Sequence, residues 1–353
     1  MSRKFKLCEL IVFSLLFAVA SIRAAFAQSV PKNITEGGLQ VKSLIVSSVD
    51  LNVSTDSGSA RIHMMPVEGT RMNQQWPAAS DTGAAPPANA MRSAADVVAT
   101  GIRFYPADVG NPSNNVTIAT ARNHDIYLNG LPDIWGYPAE FLEDLSKSDF
   151  IHVTDQYVNT TADNRYTLGY GAFVIYPNAP HTLAPNDIFA ILHAVAGTFG
   201  TGYEEIYHVF VPPGVDVCTV PGAVCYSPDT PATFAFCAYH GAVTFSDIGH
   251  VIYSVEPYEN VQGCALNGTL PNGVLIDSTA SVLSHELFEL ITDPDLNAWW
   301  DRVDLDLHGA EIGDVCQRAS FAYDTPLLNG RLYEIQPEYS NAVHACVFSL
   351  TSP

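Results

Sequence analysis

The chain has 353 residues, 47% of them hydrophobic and 15% charged, and 37 acidic residues against 16 basic ones give a net charge of −21. So acidic a balance excludes nucleic acid and anionic membrane surfaces as partners. The apolar content is that of a globular chain rather than a disordered one.

Residues 1–27 read as a secretory signal. Arg3, Lys4 and Lys6 form a basic start, an apolar run follows, and Ala25-Phe26-Ala27 is a small-x-small cleavage site. The mature chain is expected to begin at Gln28, to be secreted or periplasmic, and to keep no membrane attachment after cleavage. Six of the seven cysteines remain: Cys218, Cys225, Cys237, Cys264, Cys316 and Cys346. An even count in an oxidising compartment points to three disulfides. Their pairing is open from sequence; the expectation adopted is Cys218 with Cys225, Cys237 with Cys264, and Cys316 with Cys346. Residues 28–99 form a poorly structured N-terminal region rich in Ala, Pro and Ser, with a linker-like stretch at 78–95. Gly38 to Val53 alternates enough for a strand or two. Residues 100–353 are expected to be the globular domain.

Within that domain, Ile102–Tyr105 and Val116–Thr120 read as strands, and Tyr137–Ser146 as a short helix. Phe150–Val153 and Ala172–Tyr176 follow as strands, then Pro185–Thr198 as a helix stopped near Gly197. Three β-rich runs come next, Ile206–Val211, Thr233–Phe245 and His250–Val255, separated by Pro, Gly and Asp clusters. A helix centred on His285-Glu286-Leu287-Phe288-Glu289 then begins near Ser278 or Thr279, its candidate caps, and ends before Pro294. Arg331–Ile335 and Ala342–Phe348 close the chain as strands. The order predicts an α+β fold: a zincin-like mixed β-sheet with a backing helix and a metal-site helix, stabilised by disulfides.

The helix carries the chemistry. Residues four apart share a helical face, so His285 and Glu289 point the same way with Glu286 beside them. This is the HExxH arrangement with Glu in place of the second His, and both groups ligate divalent metals. A Glu ligand about twenty residues downstream completes the expected trio as His285, Glu289 and Glu311. Glu286 is the candidate catalytic base, placed to take a proton from water at the metal. Asp293, Asp295 and Asp314 are the alternative or supporting ligands, Asp314 or Asp293 orienting His285 through its other ring nitrogen. His193, His208 and His240 are expected to be core residues, His240 reaching the site only if its strand borders the cleft. Thr233–His240 is the candidate edge strand for docking an extended peptide, and Tyr333 and Tyr339 are candidates for stabilising an oxyanion.

Several stretches together resemble the EXORDIUM-like or phosphate-induced protein family in a bacterial, secreted form. They are Phe150–Tyr157, Arg165–Gly169, Tyr207–Gly214, Phe236–His240, Ser284–Glu289, Thr292–Pro294, Asn297–Trp299, Glu311–Cys316 and Tyr339–Asn341. The resemblance covers about residues 100–350, and its most specific part is HELxE followed by NAW and EIGD-x-C. It implies a role in the cell wall, where plant members are linked to expansion and growth signalling, and it implies no particular reaction.

Two functions follow as expectations. The first is a metal-dependent hydrolase, a zinc metallopeptidase acting on a peptide or cell-wall polymer. The second is a non-catalytic extracellular or cell-wall binding protein with a structural metal, with Ca as the alternative to Zn because the run from Asp293 to Asp314 is rich in oxygen ligands. A glycosidase using Glu286 and Glu289 is disfavoured, since two carboxylates on one helical turn cannot flank a glycosidic bond.

Overall fold

The structure is a computed structural model that describes residues 34–36, 39–41, 43–47, 49–50, 53–56, 62–67, 108–302, 310–318 and 324–350. The expected signal sequence, the linker at 78–95 and the expected strand Ile102–Tyr105 lie outside the described residues. The chain divides after Ser43 into two units. The first contains a small antiparallel hairpin, Ile34–Glu36 with Leu39–Val41. The second, from Leu44 onward, holds everything discussed below.

Its centre is a mixed sheet of strands β1 (Ser43–Val46), β2 (Ile62–Pro66), β3 (Ala121–Leu128), β4 (Tyr166–Leu168), β5 (Gly171–Val174), β6 (Glu205–Phe210), β7 (Phe236–Phe245) and β8 (Gly249–Glu256). The spatial order is β1-β5-β3-β6-β8-β7-β2, with β4 also paired to β3. β3, β5, β6 and β8 run parallel. The β7–β8 hairpin and β2 add antiparallel strands at one side. The helices are α1 (Pro138–Ser146), α2 (Pro185–Phe199), α3 (Val274–Thr292) and α4 (Ile312–Arg318). No helix among the described residues is long and apolar enough to cross a membrane.

Alternation along the strands separates two faces. Tyr207, Val209, Tyr253 and Val255 turn one way and bury against Ile188, Ile191, Leu192 and Val195 of α2. Each such aliphatic side chain contributes about 2 kcal/mol of hydrophobic burial. The other face receives α3, which packs on β7 and β8. α3 is buried along its whole length from Asp277, with α1 and α4 packed around it. Its polar residues, among them Asp277, Ser284, His285, Glu286 and Glu289, are thereby buried along with its apolar ones.

All three expected disulfides are present, Cys218–Cys225, Cys237–Cys264 and Cys316–Cys346. The fold is therefore a mixed α+β architecture with one large mixed sheet, few helices and three bridges. Several local expectations need correction. Val116–Thr120 is irregular, and the strand begins just after it, at Ala121. Phe150–Val153 lies in a 3₁₀ helix, Asp149–Thr154, with Thr154 Oγ1 donating in addition to the Ile151 carbonyl. α3 starts a turn before Ser278, after Gly273 at φ 89°, and Asp277 ties that start to Asn272. Thr233–His240 is not an edge: β7 is flanked by β8 and by β2. The sheet also takes β1 from the Gly38–Val53 stretch expected to hold a strand or two, and β2 from a part of residues 28–99 expected to be poorly structured.

Candidate metal centre

Strand pairing lines up a row of polar side chains on the α3 face. Asp125 lies beside His208, His208 beside Ser254, Ser254 beside His240, and His240 beside His63. Directly paired residues share a face, so the row crosses β3, β6, β8, β7 and β2 in succession. Parallel strands buried on both faces ordinarily carry apolar residues there. His208 is held between Asn123 Oδ1 (3.0 Å) and Ser254 Oγ (2.8 Å), and Ser254 Oγ donates to Glu256 Oε1 at 2.6 Å.

At the β7–β2 end this row meets α3 and α4. His285 Nε2 lies 3.3 Å from Glu289 Oε2 and 3.9 Å from Asp314 Oδ1. His240 Nδ1 is hydrogen-bonded to Glu286 Oε2 at 2.9 Å and lies 3.6 Å from Glu289 Oε2. Its Nε2 lies 3.7 Å from Glu311 Oε1. From β2, His63 Nε2 donates to Asp314 Oδ2 at 2.7 Å and its Nδ1 is 3.5 Å from Glu311 Oε1. Glu289 is the hub, since its other oxygen accepts the Asp314 amide at 3.2 Å. Gln336 Nε2 donates to His285 Nδ1 at 3.0 Å.

All of this is enclosed. His240, His285, Glu286, Glu289 and Asp314 have no solvent exposure and Glu311 has 2%; His63 is the outermost member, with 15% of its side chain exposed. Yet His240 Nε2, His285 Nε2, Glu286 Oε1, Glu289 Oε2, Glu311 Oε2 and Asp314 Oδ1 make no hydrogen bond. Buried polar atoms are nearly always paired, so six unpaired nitrogen and oxygen atoms in one enclosed cluster are a marked departure. These buried His, Glu and Asp groups could hold a metal ion. A further group, Cys237, Glu259 and Cys264, is different, because both sulfurs are already bonded to each other.

Electrostatics say the same. Burial, then the charge of Glu289, pushes the Glu286 carboxyl well above its usual range. Burial, then Asp293 and Glu289, does so for Glu311. Burial alone would lower His63, but the neighbouring Asp314 raises it to about 9, and His63 in turn holds Asp314 low against burial. His240 is driven far down by burial and by the His63 and His285 rings. The set contains more carboxylate than its histidines can neutralise.

The expected site residues separate accordingly. His285, Glu286, Glu289 and Glu311 are brought together, and Asp314 joins them directly. Glu311 meets His240 and His63, while the short approaches of His285 are to Glu289 and Asp314. Asp293 caps the end of α3, accepting the amides of Asn297 and Ala298. Asp295 is engaged elsewhere, by Tyr203 and His250. Tyr333 donates to Asp144 and Tyr339 to Asp108. His240 reaches the cluster because its strand borders it, the condition set for it from sequence. His63 was the hidden member: a lone histidine in a five-residue strand by itself reads as packing.

The row has a pH signature. Burial raises Asp125 from 3.8 to about 7 and Glu256 from 4.5 to about 8, and burial with the nearby His124 lowers His208 from 6.5 to about 3. The raised acids hold protons when folded, so the stability they contribute is full below their unfolded values and is lost as pH rises through 7 and 8. The lowered histidine acts oppositely, but only between about pH 3 and 6.5. Above 6.5 the acids are unopposed by it. In chelated protein, denaturant unfolding is expected to show stability falling from pH 6.5 to 8, and Glu256→Gln should flatten part of that fall. An unchanged slope in the variant refutes the assignment to Glu256.

No family model, curated protein or solved structure is matched by this chain.

Proposed function

We propose that the chain is an exported metal-dependent hydrolase, a zinc metallopeptidase-like relative of the EXORDIUM-like family with a zincin-like placement of sheet over metal helix. The observation that supports this best is the convergence on Glu289 of unpaired ligand atoms from α3, β7 and the EIGD segment, with His63 of β2 beside them. The mixture of imidazole with carboxylate suits zinc-class ions better than calcium, which takes oxygen ligands. When bound, such an ion supplies Lewis-acid polarisation of a carbonyl and a more acidic water.

The residues then divide the work. Glu286 has one oxygen held by His240 and keeps Oε1 unpartnered, so it can take the proton from the attacking water and pass it to the leaving amine. His240 holds Glu286 through Nδ1, which leaves Nε2 free and facing Glu311. His285 Nε2 is unpartnered as well, while its Nδ1 meets the Gln336 amide, which also donates to the Gly313 carbonyl and Glu338. The substrate class is an extended peptide or cell-wall polymer.

A second reading has a specific observation in its favour. Structural metal sites are closed and catalytic ones keep an open position, and this set is enclosed with β2 across the β7 edge. On that reading the ion pins α3, α4 and β2 together in a non-catalytic wall-binding protein. Glu286→Gln separates the two, because Gln keeps an oxygen for His240 but cannot act as a base. Turnover of any peptide cleaved by wild type is expected to fall by at least ~10²-fold with zinc per chain unchanged. Full activity in the variant sinks the catalytic assignment, and a wild type that binds zinc but cleaves nothing in a broad library supports the structural one.

A further inference from the structure

The donors fall into two sets rather than one. His240, Glu289 and Glu311 offer ligand atoms all within 4.8 Å of one another, and so do His63, Glu289 and Asp314. Glu289 belongs to both. We propose that the cluster is a dinuclear centre in which the Glu289 carboxylate bridges two divalent transition-metal ions, one held by His240 and Glu311 and the other by His63 and Asp314. This deepens the metal reading above and rests on it.

Three independent features carry the second ion. The first is unsatisfied imidazole. His240 is fully buried, its Nδ1 lies 2.9 Å from Glu286 Oε2, and its Nε2 is unpartnered on the Glu311 side. An imidazole with one nitrogen held by a carboxyl and the other left free in a buried site is the arrangement of a metal-ligating histidine. His285 Nε2, also fully buried and unpartnered, faces Asp314 Oδ1 and Glu289 Oε2 on the other side. Each half of the cluster therefore has its own unsatisfied imidazole.

The second feature is charge. Glu286, Glu289, Glu311 and Asp314 are four carboxylates in a dry space with Glu338 buried beside them, and among the described residues the ion pairs of the four are all with histidines. Two dications neutralise four carboxylates with every histidine neutral. A single dication leaves two charges over, which forces protons onto buried carboxyls or onto His63, and isolated buried charge is costly. The third feature is a shared carboxylate: Glu289 Oε2 is approached from one side by His240 at 3.6 Å and from the other by His285 at 3.3 Å, while Oε1 accepts the Asp314 amide. Paired ions sharing a carboxylate are the usual clamp for hydrolytic displacement.

The consequence reaches beyond the site. His63 comes from β2, in the N-terminal stretch that does not share the family resemblance, so this stretch supplies a ligand and the second ion fastens β2 to the edge of β7.

The mature chain, purified from an oxidising compartment and stripped with chelator, can be titrated with Zn²⁺ alone and its content measured by elemental analysis. Two ions per chain are expected in wild type and one in each of His63→Gln and His240→Gln. Loading wild type with Mn²⁺ should give the spin-coupled resonance of a metal pair, replaced by an isolated-ion spectrum in His63→Gln. The wild-type resonance needs no variant and is unaffected by any folding defect. One zinc per chain in wild type, with an isolated Mn²⁺ signal, overturns the dinuclear centre and leaves the single-metal reading intact. No bound metal in wild type overturns both.

Discussion

Replacing Glu289 with Gln is expected to leave the zinc-saturated protein about 10 °C less stable than wild type, yet to make the chelated protein more stable. Glu289 stands among the donors, 3.3 Å from His285 Nε2 and 3.6 Å from His240 Nδ1. Removing its charge removes the hub from both donor sets. An ion present at about a thousand times its dissociation constant adds about 4 kcal/mol, which for a domain of this size is roughly 10 °C in Tm. Without the ion the sign reverses. Glu286, Glu311 and Glu338 are all pushed upward by burial first and by the Glu289 charge among their neighbours. A neutral, isosteric Gln relieves that repulsion by on the order of 1 kcal/mol and still offers an oxygen to the Asp314 amide. A cluster serving only as a hydrogen-bonded acid–histidine network predicts destabilisation in both states. Thermal unfolding with zinc and with chelator tells the two apart.

How much of this was legible in the sequence depended on how closely each element obeyed its own pattern. α2 and the β7–β8 pair show clean apolar periodicity between turn residues, and their expected limits fall within a few residues of those observed. The helix bearing His285 and Glu289 was legible for the same reason, and the cysteines pair with their neighbours in sequence. β3 was hidden. Arg122, Asn123, His124 and Asp125 occupy half of it, and the last three are buried through hydrogen bonds that no local pattern announces. β2 was hidden because five residues between long Ser-, Ala- and Pro-rich stretches carry too little alternation to stand out. The site failed at those same places. Its helical residues were found from i,i+4 spacing, whereas His63 and His240 become neighbours only through the β2–β7 register. Polar residues in the middle of a buried sheet break the local rule for strands, and such breaks concentrate where a chain does chemistry.

Gly313→Ala is the sharpest test of how EIGD closes on the helix. A Cβ at Gly313 would lie 2.5 Å from His285 Nδ1 and 2.9 Å from Glu289 Oε1, closer than atoms tolerate. Neither neighbour can swing aside. His285 is held by Gln336, Glu289 Oε1 accepts the Asp314 amide, and both are fully buried. α4 cannot retreat freely either, because Cys316 within it is bonded to Cys346. Alanine favours a helix over glycine by about 1 kcal/mol, so helix propensity alone predicts a gain. Overpacking of this kind costs about 3 kcal/mol, and the clash is expected to win by about 2 kcal/mol. Glu311 and Asp314, on either side of the substitution, should lose their places and the zinc with them. The matching control is Gly197→Ala in α2, where the added carbon would meet only Ile248 Cγ2 at an ordinary 3.7 Å. There the propensity gain is unopposed, and stability should rise by about 0.5–1 kcal/mol. Denaturant unfolding of the two variants should therefore move in opposite directions. A gain at both positions would show that α4 does not press against His285 and Glu289.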